Sequence, residues 1–365
     1  MQSSASLVAS QLGHGQSVGS AGAPTGLNLS LAQQFVDARL VSLSSDGRRL
    51  CMEDWKVDGY PLRVVETGTW FSVYQGRFQT RALAVSFFPD GRSLFLDFTP
   101  GKGQLTHQQI VVDLGTGKRI ERMRSADPFR YFEQMFPVGD RDLLLARSSV
   151  GGHEPRHLER LARLEFPSYR EVAHLELPAK RGVPNNNDAV GVSADRKLLF
   201  YFLENAIVCR RTTDLSGLAT IRTEEGLTAF PTISARGDYF AASIAKGTLN
   251  GQFLHYTHLY ISVYDRDTAA EIARLPIDGK EGIAISPDGK TLAVVVREPG
   301  QRGEVSPTVH IYDVASGTKL TVVVHDRIPK GRRQFLEAGC GVAFTSDGKY
   351  LITSGMLTKV WRIGE

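Results

Sequence analysis

The sequence predicts an all-β protein, a seven-bladed β-propeller of four-stranded antiparallel blades. Three observations support this fold class. A short turn phrase recurs along the chain, a second phrase combining a strand with a turn falls between its copies, and the copies follow one another at steps of about 40 to 60 residues, which suits one blade. The four clearest copies of the first phrase are residues 44–48 (SSDGR), 88–92 (FPDGR), 286–290 (SPDGK) and 345–349 (TSDGK).

The first phrase has the composition of a hairpin turn. Proline presets a turn value of φ, Asp hydrogen-bonds the backbone two residues further on, and Gly accepts a positive φ. Apolar residues flank the turn, with Val85 and Phe87 before residues 88–92. Leu94 and Leu96 follow it. This is the strand–turn–strand pattern of a β-hairpin.

Weaker copies of the turn fill the gaps between the clear ones. Residues 193–197 (SADRK) keep the Asp and lose the Gly, whereas residues 234–237 (SARG) keep the Gly and lose the Asp. Residues 138–141 (VGDR) are the weakest match. Seven copies predict seven blades, and the degenerate copy around Asp140 leaves six or eight as alternatives.

The second phrase describes a third strand that ends in a turn. Its copies are residues 111–117 (VVDLGTG), 263–268 (VYDRDT) and 311–317 (IYDVASG), with a looser copy at 64–68 (VVETG). The acidic residue at the end of the strand is available to accept hydrogen bonds from turn amides. A fourth strand follows, for example at 319–324 or 271–275, so each blade has three clear strands and a more variable outer one.

The two ends of the chain predict how the ring closes. The last repeat offers only three strands, at 341–344, 350–353 and 359–363. We expect residues 27–35 to supply its outer strand, because this clasps the first and last blades and removes an exposed edge. Residues 1–26 are expected to form a flexible tail, and residues 27–365 a single propeller domain.

The repeats resemble the WD40-like and YVTN-type β-propeller families in the bacterial style, over roughly residues 38–365. The chain lacks the regular Gly-His starts of eukaryotic WD40 repeats, and their Trp-Asp ends are replaced by Tyr-Asp, Val-Asp or Trp361-Arg362. The resemblance implies the propeller fold and no one activity, because unrelated functions share this architecture.

Composition limits the classes of partner and the compartment. The net charge of +4 is small for 365 residues, so nucleic acid is not expected as a partner. No apolar run is long enough for a transmembrane helix, and we expect no membrane insertion. The first 26 residues contain no Lys or Arg, unlike a signal peptide. The chain is expected to be soluble, either cytoplasmic or exported if Met1 replaces a removed signal.

Three cysteines, Cys51, Cys209 and Cys340, lie in different repeats. An odd and sparse set argues against a disulfide framework. We expect Cys51 on a second strand, Cys209 on a third strand and Cys340 at an inner one, as buried thiols that act as small apolar residues.

The first candidate for partner binding is a run of cations at residues 326–334. Arg327, Lys330, Arg332 and Arg333 join the sixth and seventh blades, where they could bind an acidic protein face, a carboxylate or a phosphate. The alternative is an ordinary solvated loop. Residues 180–188 make the corresponding crossover between the third and fourth blades and should open on the same rim, which we therefore take as the binding surface.

Residues 253–260 (FLHYTHLY) form an aromatic segment after a glycine-rich stretch. Phe253 and Tyr256 are candidates for gripping a partner, because aromatic residues are enriched at interfaces. The alternative is ordinary sheet packing. His153 and His157 are the densest possible metal ligands, but Pro155 stands between them, so no metal site is predicted.

No catalytic motif emerges from the sequence, and no cofactor is predicted. The leading hypothesis is a non-enzymatic scaffold that displays one rim to a protein partner as a subunit of a larger assembly. One rival is a lactonase-like propeller hydrolase that acts on a small sugar-derived substrate at the central channel. A second rival is a propeller carrying haem or a metal, which the absence of a CxxCH motif disfavours.

Overall fold

The computed structural model describes most of the chain from residue 27 onward. The described ranges are 27–54, 59–79, 82–98, 106–125, 131–149, 158–178, 190–203, 205–234, 237–250, 253–277, 282–299, 305–325, 341–355 and 357–364. Within these ranges every regular element is a β-strand. The strands form seven four-stranded antiparallel sheets, which confirms the predicted seven-bladed β-propeller.

The first strand of the chain, β1 (Leu29–Phe35), belongs to the last blade. Blade 1 consists of β2 (Ala38–Leu43), β3 (Arg49–Asp54), β4 (Leu62–Glu66) and β5 (Ser72–Gly76). Blade 2 consists of β6 (Ala82–Phe87), β7 (Ser93–Phe98), β8 (Thr106–Asp113) and β9 (Arg119–Ser125). Blade 3 consists of β10 (Tyr131–Val138), β11 (Asp142–Ser149), β12 (Leu158–Glu165) and β13 (Arg170–Glu176).

The second half of the ring repeats this order. Blade 4 consists of β14 (Gly191–Val192), β15 (Leu198–Leu203), β16 (Ala206–Arg211) and β17 (Gly217–Arg222). Blade 5 consists of β18 (Leu227–Ile233), β19 (Tyr239–Asn250), β20 (Phe253–Asp265) and β21 (Glu271–Leu275). Blade 6 consists of β22 (Ile283–Ile285), β23 (Thr291–Pro299), β24 (Val305–Asp313) and β25 (Lys319–Val324). Blade 7 consists of β26 (Gly341–Phe344), β27 (Tyr350–Ser354), β28 (Thr358–Ile363) and β1.

The connections separate the ring into two faces. On one, which we call the turn face, the first strand of a blade turns into the second and the third into the fourth, always through three to five residues. On the opposite face, the loop face, the second strand connects to the third and each blade crosses over to the next. These connections vary widely, from residues 204–205 to residues 325–340. The connections on the turn face are therefore uniform in length, whereas those on the loop face vary.

The N-terminal strand closes the ring as predicted. β1 pairs antiparallel with β28, with Leu29 opposite Ile363 and Phe35 opposite Thr358. The Thr358 hydroxyl donates to the Ala38 carbonyl at 2.9 Å, which ties blade 7 to the first strand of blade 1. Because β1 leads within two residues into β2, its pairing with β28 links the last blade to the first.

The core lies between the blades rather than inside them. The described buried side chains divide into seven apolar clusters, each shared by two neighbouring blades. Alternation along a strand sends successive residues to opposite neighbours. On β20, Ile261 and Val263 pack with blade 6, whereas Tyr260 and Tyr264 pack with blade 4. Each blade is therefore held from both sides.

The recurring turn phrase forms a compact hydrogen-bonded unit, shown here for blade 1. The Ser44 hydroxyl donates to Asp46 Oδ1 at 2.7 Å and accepts the Arg49 N–H at 2.9 Å. The same Asp46 oxygen accepts the Arg48 N–H at 2.9 Å. Gly47 has φ +71°, and a Cβ there would approach Ser346 N of the blade 7 turn to 3.0 Å. The glycine thus permits both the turn and its close packing on the preceding blade.

The second phrase works by similar chemistry. Asp113 and Asp265 each accept the backbone N–H and the hydroxyl of the Thr three residues later, at 2.7–2.8 Å. These hydrogen bonds hold the pKa of both carboxyl groups below the usual range. The prediction that an acidic residue satisfies the turn after the third strand is confirmed.

Blade 7 carries a hydrogen-bonded triad that anchors the crossover entering it. The Trp361 indole N–H donates to the Thr353 hydroxyl oxygen at 2.9 Å, and His325 Nε2 lies 2.7 Å from the same oxygen. His325 and Thr353 are buried, and His325 precedes the crossover to β26. The Thr353 hydroxyl thus joins β27, β28 and the crossover that leads into β26.

Cys51 lies on the second strand of blade 1 and Cys209 on the third strand of blade 4, both buried as predicted. Burial raises the pKa of both thiols, that of Cys209 to about 11. Cys340 lies outside the described residues. In the part of the chain that the structure describes, no helix is long and apolar enough to cross a membrane.

Candidate functional site

The predicted cationic residues Arg327, Lys330, Arg332 and Arg333 lie outside the described residues. The strands on either side are described: β25 ends at Val324 on the loop face, and β26 starts there at Gly341. The connection between β13 and β14, which contains residues 180–188, also leaves from and returns to the loop face. The segment with His153 and His157 lies outside the described residues too.

The most distinctive described feature of the loop face is the hairpin of β19 and β20. Lys246 is the last β19 residue that pairs with the inner strand β18, and the outer strand β21 pairs with β20 no further than Ile261. Beyond these points β19 and β20 pair only with each other, as far as Asn250 opposite Phe253. A two-stranded ribbon therefore extends beyond the rest of blade 5.

The predicted residues Phe253 and Tyr256 belong to this ribbon. Phe253 is the first residue of β20 at the far end of the pairing, and Tyr256 lies opposite Gly247. Nearer the blade, Thr257 and Leu259 are exposed, and His258 and Tyr260 are half-buried, as the alternation of side chains along a β-strand requires. The sheet around the strand thus covers one face and leaves the other to solvent.

Two contacts brace the ribbon where it leaves the blade. His258 Nδ1 lies 2.6 Å from the Ser243 hydroxyl, and its ring packs on Phe230 with centroids 5.3 Å apart. The Tyr260 hydroxyl donates to Glu224 Oε1 at 3.1 Å, and the Arg274 guanidinium lies 4.5 Å from the centroid of its ring. These contacts fix the base of the ribbon to β18, to β21 and to the crossover before β18.

On the turn face, the degenerate turn of blade 4 places an arginine where the clear copies of the phrase have glycine. Arg196 has φ +62°, and its Nη2 donates to the hydroxyl of Ser86 at 2.8 Å. Ser86 lies on β6, the innermost strand of blade 2. Because blade 3 stands between blades 2 and 4, this side chain crosses the inner end of blade 3 at the mouth of the central channel.

A cleft of about 670 Å³ opens between blades 2 and 3 on the same face. Its apolar walls come from both blades and include Phe88 and Phe166. Charged residues from the turns line it too, but Asp90 already accepts the N–H groups of Arg92 and Ser93 at 2.8 and 3.1 Å. The volume lies within the range of small-molecule sites.

The other end of this seam between blades 2 and 3 is filled by buried polar groups. Glu133 is paired with Arg124 of blade 2 and, at 2.9 Å, with Arg147 of its own blade. Burial alone would raise the pKa of Glu133, but hydrogen bonds and charge from the two arginines outweigh it and hold the pKa below the usual value. Asp97 and His107 form a second buried pair at 3.1 Å.

Sequence reasoning identified neither the cleft nor the arginine in the channel. The cleft joins residues from two different repeats, so no local pattern encodes it. For Arg196 one signal was present, namely the loss of glycine from an otherwise intact turn phrase. In the described ranges, no three or more His, Cys, Asp or Glu side chains converge in a way that could hold a metal ion.

No family model matches the sequence, and no curated protein matches it. Solved structures are similar in fold. One is from "Kuenenia stuttgartiensis Hydrazine Synthase", with a TM-score of 0.54 and 16% identity over 90% of this chain and 96% of that chain. Another is from the mitotic checkpoint complex, with a TM-score of 0.52 and 14% identity over 98% of this chain and all of that chain, 100%. At these identities the similarity shows the β-propeller fold alone.

Proposed function

We propose that this chain is a non-enzymatic scaffold, a propeller that displays its loop face to a protein partner as a subunit of a larger assembly. The observation that carries the proposal is the projecting ribbon of β19 and β20, held at its base by Ser243, Tyr260 and Arg274. A pre-formed arm on a closed ring loses little conformational freedom on binding, so more of the contact energy is available as affinity.

Other features of the loop face also support it as the binding surface. The loop face carries the long and variable connections, and binding residues are found disproportionately on loops that a rigid framework positions. The turn face repeats one turn chemistry and offers few features that distinguish one blade from another. A propeller of this fold occurs in the mitotic checkpoint complex, so the fold is compatible with such a role.

We propose two groups of contact residues on the loop face. Phe253 and Tyr256 would supply aromatic contacts from the ribbon, since aromatic residues often dominate binding energy. The four cations Arg327, Lys330, Arg332 and Arg333 would meet an acidic patch of the partner and accelerate the encounter. We also propose that the repeats belong to the WD40-like and YVTN-type families, in the bacterial style.

The test begins with chemical cross-linking and native purification from the source cells, followed by mass spectrometry. We expect a stoichiometric protein partner, cross-linked through lysines of the loop face such as Lys330. Recovery of the chain as a solitary monomer would contradict the scaffold proposal.

Two variants then locate the interface. Arg332→Glu combined with Arg333→Glu, and separately Phe253→Ala combined with Tyr256→Ala, should each weaken binding at least about tenfold, the effect of roughly 1.4 kcal/mol. The matched control is Arg48→Glu combined with Lys118→Glu, which reverses two exposed charges on the turn face. Equal binding by all variants, or equal loss in the control, would refute the assignment to the loop face.

A further inference from the structure

Arg196 occupies a position that favours glycine. The four clear copies of the turn phrase have glycine there, with φ between +62° and +73°: Gly47, Gly91, Gly289 and Gly348. Arg196 adopts the same conformation, with φ +62°. A residue with a Cβ adopts this left-handed backbone conformation less readily than glycine does.

The side chain uses this position to reach the channel. From the blade 4 turn it extends past the inner end of blade 3 to donate to Ser86 of blade 2, at 2.8 Å. The turns of neighbouring blades pack closely on this face, since a Cβ at Gly289 would come within 2.7 Å of the Tyr239 ring of blade 5. Arg196 itself is half-buried at this position.

The charge of this guanidinium is poorly compensated. Burial lowers the pKa of Arg196 to about 10, which still leaves it protonated at neutral pH. The nearest carboxylate charge is Asp195, but that side chain accepts the Ser193 hydroxyl at 2.6 Å and the Lys197 N–H at 3.1 Å. Among the described residues, the only hydrogen bond from the five guanidinium N–H donors goes to Ser86.

A half-buried guanidinium that has donors available for a ligand can bind anions that present a pair of oxygen atoms. We propose that the turn-face mouth of the central channel binds a small oxyanion, held by the Arg196 guanidinium with the Ser86 hydroxyl as a second donor. The position at the innermost strands of the ring favours a small free carboxylate or phosphate over the side chain of a partner protein. Both anions offer the bidentate geometry that suits arginine, and the site lies on the face opposite the proposed protein interface.

The test compares the wild type with Arg196→Gly. Glycine is the residue that the clear turns carry here, so this variant should fold and should unfold at no lower temperature than the wild type. Binding is measured by isothermal titration calorimetry with inorganic phosphate and with malonate, at constant ionic strength and with chloride as the reference anion. The two titrants distinguish a phosphate site from a carboxylate site.

We expect phosphate or malonate to bind the wild type with a stoichiometry of one and to raise its unfolding temperature. Arg196→Gly should weaken that binding at least about tenfold, as expected for loss of a charge-assisted bidentate contact. The matched control Arg48→Gly removes an exposed arginine from the same face and should bind like the wild type.

Two outcomes would overturn the proposal. One is the absence of binding of both anions to the wild type, or equal binding to Arg196→Gly. The other is an Arg196→Gly variant that unfolds earlier than the wild type when neither anion changes the wild-type unfolding temperature. Arg196 would then be a structural strut across the channel. Neither outcome bears on protein binding at the loop face, so this proposal and the scaffold proposal fail separately.

Discussion

Phe35 lies where the chain passes from the last blade into the first, and it offers the sharpest test of how the ring is held closed. It is the final residue of β1 and is 6% exposed. Its ring packs edge-on against Trp70 of blade 1, with centroids 6.3 Å apart, while its backbone pairs with Thr358 of blade 7. Phe35→Ala therefore removes a contact between the two ends of the chain.

The magnitude follows from the surroundings of the ring. Phe35 shares an apolar cluster with fully buried side chains from both blades, among them Leu50, Met52 and Val360. Replacing a buried Phe by Ala leaves a cavity and costs about 3–5 kcal/mol. The matched control is Leu31→Ala on the same strand, where the side chain is 50% exposed, and the expected loss is below about 1 kcal/mol.

Urea unfolding followed by far-ultraviolet circular dichroism measures both variants. Tryptophan emission is unsuitable, because Trp70 touches the mutated ring and would respond to the local change alone. We expect one cooperative transition whose midpoint falls strongly for Phe35→Ala and slightly for Leu31→Ala. Similar midpoints for the two variants would refute the view that the N-terminal strand holds the ring closed through this cluster.

Three further predictions concern blade 7, the seam between blades 2 and 3, and the thiols. Thr353→Val should lower the free energy of unfolding by about 1–3 kcal/mol, because it removes the acceptor of the Trp361 indole N–H. The control is Thr220→Val on an exposed outer strand, and an equal loss of stability in that variant would contradict the prediction. The lowered pKa of Glu133 means that its contribution to stability is present above its usual value of 4.5 and is lost as the pH falls through the folded-state pKa. Glu133→Gln should therefore be less stable at pH 7 and lose less stability on acidification, and identical urea midpoints for both proteins at every pH would refute the ion pairing. Neither Cys51 nor Cys209 should react with a thiol reagent at neutral pH, so that at most one of the three cysteines is labelled before unfolding, and labelling of two would show that the buried sites open.

The features that the sequence predicted well are those with local causes. The Asp46 turn depends on atoms within five residues of one another, so its phrase identifies the hairpin in every blade that retains it. Ring closure was predictable for a different reason, since a last repeat with three strands leaves an edge that residues 27–35 are free to fill. The alignment of the repeats placed Cys51 on a second strand and Cys209 on a third, and both are buried there.

The features that the sequence did not predict depend on residues far apart in the chain. The cleft between blades 2 and 3 takes Phe88 from one repeat and Phe166 from another, and only the ring brings them together. The contact of Arg196 with Ser86 joins blades that are not neighbours. The glycine and polar residues in 246–251 favour a long hairpin loop. In the structure β19 instead continues to Asn250 and pairs with β20 as a ribbon.

The difference between the two faces of the propeller has one physical cause, which is how closely neighbouring blades pack at each face. On the turn face, neighbouring turns pack so closely that even a Cβ at Gly47 would press on the turn of blade 7, and the phrase is therefore kept short and uniform. The connections of the loop face differ widely in length, and extra length in a loop costs little entropy. A binding surface for a large partner is thus favoured on the loop face, whereas a departure from uniformity on the turn face needs a local reason. Arg196 is such a departure, and the proposed anion in the channel would supply the reason.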